Sequence, residues 1–328
     1  MLLAHRYCGV LAGVLTGDAL GAPYETWDSA KIQEDFKARG GLVPFDYDDP
    51  WDKDGHSPAG RPTDDSELTA ALGTSLFRTN AEENDLYRRF RSCVIDKKSV
   101  LCSLPAYGFG GTTRRALTPS TYREAQVQPR MQPPIPSNGS LMRTAPVALR
   151  HHGDFKAIVE TARRASRITH THPLAVECTV FYTVVLDRLL AGYSFMQATG
   201  AARRSLRTLL TEDSLVEYLD FGREASYKML EEPDEPDAHT RGGALITLQV
   251  ALWATAHAKT FREGITMTVG FGGDTDTYGA VAGGLLGAIY GTEAIPPEWK
   301  SAMSGQGYET MEGIALRLFH VRSNEYGR

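Results

Sequence analysis

Gly9, Gly13, Gly17 and Gly21 recur every four residues along an otherwise apolar N-terminal stretch. This spacing constrains the fold more than any other feature of the chain. Residues four apart lie on one face of a helix, so the glycines form a strip bare of side chains. Each glycine costs a helix roughly 1 kcal/mol against alanine. The strip therefore predicts a closely packed neighbouring backbone, or a nearby site, that offsets the cost. A second stretch, YGAVAGGLLGAIYG (278–291), has Gly283, Gly284 and Gly287 available for tight packing.

Helical periodicity dominates the rest. Leu68, Leu72 and Leu76 share one face, and long helical stretches are expected near 155–169, 174–192, 194–210 and 243–262. One alternating segment, residues 266–271 (TMTVGF), predicts a strand. Without regular strand–helix alternation a doubly wound sheet or barrel is not expected, and the fold reads as all-α. Residues 40–62, 118–139 and 231–240 interrupt the helices with Gly, Pro, Asp and other polar residues, and are expected to be long loops within one domain.

At 328 residues the chain has room for about two domains of average size, although one large domain stays open. We expect a single domain over 1–328. The formal charge of −5 leaves no basic excess to neutralise a phosphate backbone, which argues against a dedicated nucleic-acid binder. Cys8, Cys93, Cys102 and Cys178 are scattered, with no CxxC pair, which suits a reducing compartment. The best membrane candidate, residues 10–22, is too short and contains Asp18. Glycines and Asp18 also make it a poor secretory signal. A soluble cytoplasmic protein, monomeric and without membrane contacts, is the expectation.

Two acidic clusters open helices. TDDSE (63–67) precedes the leucine face, and GGDTDT (272–277) precedes the glycine-rich helix. Each alone is explained by capping, since Asp64 and Glu67 have capping-box spacing and acids favour a helix start. Together, Asp64, Asp65, Asp274 and Asp276 would repel one another unless a cation lay between them. Their hard oxygen donors suit Mg²⁺, Mn²⁺ or Ca²⁺ rather than zinc.

Other segments carry weaker signals. Glu25 ends GDALGAPYE (17–25), and alone reads as a loop acid. YGFGGTT (107–113) offers successive backbone N–H groups as an anion nest. SNGS (137–140) before LMR (141–143) reads as a turn entering a helix, a second anion cradle. His170 and His172 form a His-x-His pair that reads first as a helix stop. Residues 266–271 before Asp274 and Asp276 also resemble the strand and DxD motif of haloacid-dehalogenase-like phosphatases, although these sit at the wrong end of the wrong kind of chain.

Five segments in order, GDALGAPYE (17–25), TDDSELT (63–69), NGSLMR (138–143), THTHP (169–173) and GGDTDTYGAVAGGLLGAIYG (272–291), resemble the ADP-ribosylglycohydrolase family. That family includes dinitrogenase-reductase-activating glycohydrolase and the ADP-ribosylarginine hydrolases. The resemblance implies a compact orthogonal multi-helix bundle with a two-metal cleft holding two Mg²⁺ or Mn²⁺. It implies metal ligation by Thr63, Asp64, Asp65, Asp274, Asp276 and Thr277. Gly108, Phe109, Gly110, Gly111 and Thr112, with Asn138, Gly139, Ser140 and Met142, would hold diphosphate and ribose, and His170 would lie near the cleft. Glu25 and Asp65 are the expected proton-transfer carboxylates. Gly111 stands where nitrogenase-regulating members carry an acid.

The implied reaction is hydrolysis of the ribosyl bond of an ADP-ribosylated protein or small molecule. Carboxylates would stabilise the charge that develops on the sugar, and divalent ions would orient its hydroxyls. The linkage signals diverge. GDALGAPYE looks like serine-directed relatives, whereas RITHTHP (167–173) resembles arginine-directed ones. An acid-rich cleft should attract a guanidinium, which favours arginine. A non-catalytic ADP-ribose-binding protein is the alternative of another class; loss of the metal aspartates would mark it, and all four are present.

Overall fold

Two helices packed backbone to backbone form the axis of the protein, seen in a computed structural model that describes residues 2–48, 55–127, 134–209 and 242–326. The α-helices in chain order are α1 (Leu3–Gly21), α2 (Ser29–Arg39), α3 (Asp64–Thr79), α4 (Glu83–Val94), α5 (Gly111–Leu117), α6 (Tyr122–Val127), α7 (Ala145–Arg150), α8 (Phe155–Arg167), α9 (Pro173–Leu190), α10 (Phe195–Leu206), α11 (Ala244–His257), α12 (Phe261–Gly270), α13 (Thr275–Tyr290), α14 (Pro297–Met303) and α15 (Tyr308–Tyr326). Extended pairing among the described residues is limited to isolated bridges, Tyr47 with Ser57 and Ser137 with Gly243. The fold is all-α, as the periodicity predicts.

The glycine strip of α1 meets α13. The two run antiparallel, with Gly9 against Gly287, Gly13 against Gly283, Gly17 against Gly279 and Gly21 against Thr275. A Cβ added to Gly17 would lie 1.8 Å from the Gly279 carbonyl oxygen, and one on Gly13 2.1 Å from that of Gly283. Only glycine permits this approach. Residues of α1 from Tyr7 to Gly21 and of α13 from Thr275 to Ala288 are buried throughout, so both helices are central ones covered on every side. α15 and α3 pack against α1, while α9, α11 and α12 pack against α13.

Two expectations fail nearby. Residues 243–262 are not one helix: α11 ends at His257 and α12 begins at Phe261. The Thr260 hydroxyl accepts from the Glu263 N–H at 3.1 Å and so starts a new helix. Residues 266–270, expected as a strand, complete α12, with Phe271 at its C-cap. There the Thr268 hydroxyl donates to the Gly264 carbonyl, 2.7 Å away in the preceding turn. The cap thus overrides the β-branched alternation, and the phosphatase resemblance loses the strand on which it depends.

The region 118–139 is not wholly loop, because it contains α6. Residues 49–54 and 128–133 of the expected loops, and all of 231–240, lie outside the described residues. No helix among the described residues is long and apolar enough to cross a membrane.

Candidate active site

The antiparallel pairing of α1 and α13 sets the end of one beside the start of the other. The Thr275 hydroxyl donates to the Gly21 carbonyl at 2.8 Å. Just beyond, the Thr26 N–H donates to the Gly273 carbonyl at 2.7 Å, and the Gly273 N–H returns a bond to Trp27 at 2.9 Å. Gly272 makes this approach possible: its φ is +85°, and a Cβ there would lie 2.8 Å from the Trp27 oxygen. These bridges hold Glu25 beside Asp274.

Two acidic groups result. Carboxylate oxygens of Glu25, Asp274 and Asp276 lie within 4.8 Å of one another, as do those of Asp18, Asp65 and Asp276. Asp276 belongs to both. Asp64, Asp65 and Asp276 are buried. Burial, followed by the fields of neighbouring acids, pushes their carboxyls well above the usual range; Asp18 heads those neighbours for Asp64 and Asp65, and Glu25 for Asp276. Asp65 Oδ1 is buried without a hydrogen-bond partner. An orphaned carboxylate oxygen among repelling acids is the donor set a hard divalent cation satisfies, so these residues fit a metal.

Asp18 is the participant that motif reasoning overlooks. It lies in the last turn of α1, fully buried, and accepts from the Thr63 N–H and hydroxyl and from the Ser66 N–H at 2.8–3.1 Å. The Ser66 hydroxyl also donates to it. Burial nevertheless pushes its carboxyl up to about 6. Asp18 thereby pins the start of α3, where Asp64 and Asp65 sit. Its signal in the sequence is a lone acid in an apolar helix, which must find donors once buried. Asn138 has a similar holding role: its amide donates to Asp274 at 2.8 Å and to the Thr247 hydroxyl at 2.9 Å.

The expected capping box does not form. Asp64 is already the first residue of α3, with Thr63 at the N-cap and no side-chain cap there; Glu67 instead turns to the loop after α4, accepting from the Ser99 hydroxyl and from the Val100 N–H.

Above the acids lies a cleft of about 230 Å³. Glu25, Asp64, Asp274, Asp276 and Thr277 line it, together with Gly108, Gly110, Gly111, Thr112, Asn138, Gly139, Met142 and His170. Gly108 has φ +90°, and a Cβ there would approach Asp64 Oδ1 to 2.9 Å. Gly110 caps α5, whose N-terminus opens at Gly111. Four expected residues are not on the wall. Thr63 and Asp65 are buried among the acids, Phe109 joins the apolar core, and Ser140 is fully buried, its hydroxyl accepting from Ser166 at 2.9 Å. Nor does the 137–143 segment run straight into a helix: α7 starts only at Ala145, so this turn is a wall of the cleft rather than a helix N-terminus. His172 caps α9, and is turned to the Leu174 N–H at 3.1 Å.

An all-helical fold with paired acidic groups beneath a glycine-walled cleft defines a class of protein suited to hold divalent cations under a ligand cleft. The particular family follows from comparison: the ADP-ribosylglycohydrolase profile matches residues 1–328, and the chain belongs to that family and is a hydrolase. It is 27% identical over 323 residues to ADP-ribosylarginine hydrolase Tri1 of Pseudomonas putida (strain GB-1), covering 96% of this chain and 78% of that one. Identity to the ADP-ribosyl-[dinitrogen reductase] glycohydrolase of Rhodospirillum rubrum is 27%, over 91% and 90% of the two chains. ADP-ribosylhydrolase ARH3 of Homo sapiens is 25% identical, over 96% and 93%. A solved structure described as an ADP-ribosylglycohydrolase-related protein complex superposes with a TM-score of 0.75 at 30% identity, covering 98% of this chain and 99% of that one.

Proposed function

We propose that the cleft removes ADP-ribose from modified protein side chains with the help of two divalent ions, Mg²⁺ or Mn²⁺, and that arginine is the linkage it takes. The observation that carries this is Asp276, shared by two acidic groups beneath one cleft. Thr63, Asp64, Asp65, Asp274, Asp276 and Thr277 would hold the ions, with Asp18 and Glu25 completing the two groups. When bound, the ions supply positive charge that orients the ribose hydroxyls.

The chain's own residues divide the remaining work. Glu25 is half-buried on the wall beside Asp274 and Asp276, and is the group to move a proton at the anomeric carbon. Asp65, buried behind the wall, is the alternative. Gly111 carries no side chain that could act as a base, which leaves this task to Glu25 or Asp65. Backbone N–H groups at the start of α5 and the 138–142 turn frame the diphosphate and ribose. The carboxylates favour a cationic guanidinium as acceptor, in keeping with the name of the Pseudomonas relative. A serine linkage is the second reading, favoured by Glu25, since an alcohol leaving group gains more from a general acid.

The test is release of ADP-ribose from an arginine-modified and a serine-modified peptide at equal concentration, with and without EDTA. Faster cleavage of the arginine peptide, abolished by EDTA and restored by Mg²⁺ or Mn²⁺, is expected. Faster serine cleavage would overturn the linkage; full turnover in metal-free enzyme would overturn the metal requirement.

A further inference from the structure

Arg143 is fully buried behind the cleft, its guanidinium 4.4 Å from the Phe90 ring centre. It donates to the Gly139 carbonyl at 2.9 Å, to the Ala165 carbonyl at 3.4 Å and to the Thr169 hydroxyl at 2.6 Å. The Thr169 Oγ1 lies in turn 2.7 Å from Nδ1 of His170. A guanidinium only donates, so the Thr169 oxygen accepts a hydrogen bond from Arg143. The hydroxyl has one hydrogen to give. Thr169 is buried, and Nδ1 is the acceptor in reach among the described residues. Withheld from Nδ1, that hydrogen would be buried unpaired, at a cost comparable to a lost hydrogen bond.

Nδ1 therefore accepts, and the proton of the neutral ring belongs on Nε2. Neutrality is favoured by burial and then by the Arg143 charge, which lower the imidazole pKa to about 3. Nε2 lies on the cleft side: a Cβ added to the wall residue Gly139 would stand 3.0 Å from it. No described residue accepts from Nε2. His170 is 98% buried yet presents an unused donor to the cleft.

We propose that Arg143 and Thr169 are positioning residues that lock His170 as the Nε2–H tautomer, a neutral donor to an acceptor oxygen of the bound ligand rather than a base. The identity of that ligand, an ADP-ribosyl group, rests on the function proposed above; the tautomer does not. The oxygen belongs to the diphosphate or to the terminal ribose, which comparing ADP-ribose with ADP distinguishes.

Long-range ¹H–¹⁵N spectra of the ligand-free, ¹⁵N-histidine-labelled protein read the tautomer directly. His170 should show protonated Nε2 and unprotonated Nδ1 from pH 7 down to about pH 5, well above its lowered pKa. Thr169→Val should lose that signature and weaken ADP-ribose binding about tenfold, whereas Thr169→Ser should keep both. Weakening for ADP-ribose alone assigns the oxygen to the terminal ribose; equal weakening for ADP assigns it to the diphosphate. A wild-type ring protonated at Nδ1, or a folded Thr169→Val that keeps both the Nε2–H form and wild-type affinity, would overturn the lock. Should Thr169→Val not fold, the wild-type spectrum and Thr169→Ser decide the matter. Failure of wild-type protein to bind ADP-ribose would count against the proposed function and leave the tautomer standing.

Discussion

Gly17→Ala tests whether the site depends on the bare contact between α1 and α13. The added methyl would sit 1.8 Å from the Gly279 oxygen, 2.1 Å from its carbonyl carbon and 2.9 Å from the Ala280 nitrogen. Ordinary contact begins near 3.4 Å, so the helices must part by about 1.6 Å there. Every obstructing atom is backbone, and none can rotate away. Overpacking a core commonly costs about 1–3 kcal/mol. Here separation also opens gaps along two helices buried over most of their length. Alanine's intrinsic helix gain of about 1 kcal/mol offsets little of this. We expect a net loss of about 3 kcal/mol or more.

Gly313→Ala is the control. This glycine lies within α15, and nothing stands within 4 Å of a Cβ added to it. Propensity alone then predicts a gain of about 0.5–1 kcal/mol. Urea unfolding of both variants without metal measures the contrast. Since α1 carries Asp18 and α13 carries Asp276, parting the helices should also weaken Mg²⁺ or Mn²⁺ binding by calorimetry in whatever fraction of Gly17→Ala folds. If Gly17→Ala proves as stable as Gly313→Ala, the close-packed axis is wrong.

Two further outcomes follow. Asp276→Asn removes the shared member of both acidic groups, so divalent-ion binding and turnover should disappear together, while metal-free stability should stay level or rise as a repelling buried acid is neutralised; wild-type ion affinity in the variant would refute this. His151 is buried against Thr161 (Nε2 to Oγ1 3.2 Å) and its pKa is lowered, by burial and then by Arg150, to about 4. Between about pH 6.5 and pH 4 the unfolded chain holds the extra proton, so this histidine's contribution is complete above that window. It is lost as pH falls through the window, on the order of 3 kcal/mol in all. His151→Gln should flatten the pH dependence of urea stability by up to one proton over that range, and an unchanged slope would count against a neutral buried His151.

What could be read from the sequence was what a residue's type and spacing determine within one element. The four-residue glycine period identifies a helix face needing a backbone partner, but not which helix supplies it; the antiparallel match of Gly9, Gly13 and Gly17 to Gly287, Gly283 and Gly279 is a tertiary fact. The acids of 63–67 and 272–277 are visible because they open helices. Asp18 was hidden because its donors, on Thr63 and Ser66, come from a helix start more than forty residues away. Glu67 went astray for the converse reason: capping-box spacing supplies a local partner, and the loop at Ser99 and Val100 supplied other donors instead. Local competition also explains residues 266–270, where β-branched alternation was outweighed by a threonine cap six residues upstream. The structure joins these two scales at one point. The glycine strip that lets α1 and α13 touch ends at Gly21 opposite Thr275, one residue from Asp276. The packing constraint and the acidic centre are therefore consecutive parts of the same interface, and a substitution that loosens the first should be felt as a loss of ion affinity in the second.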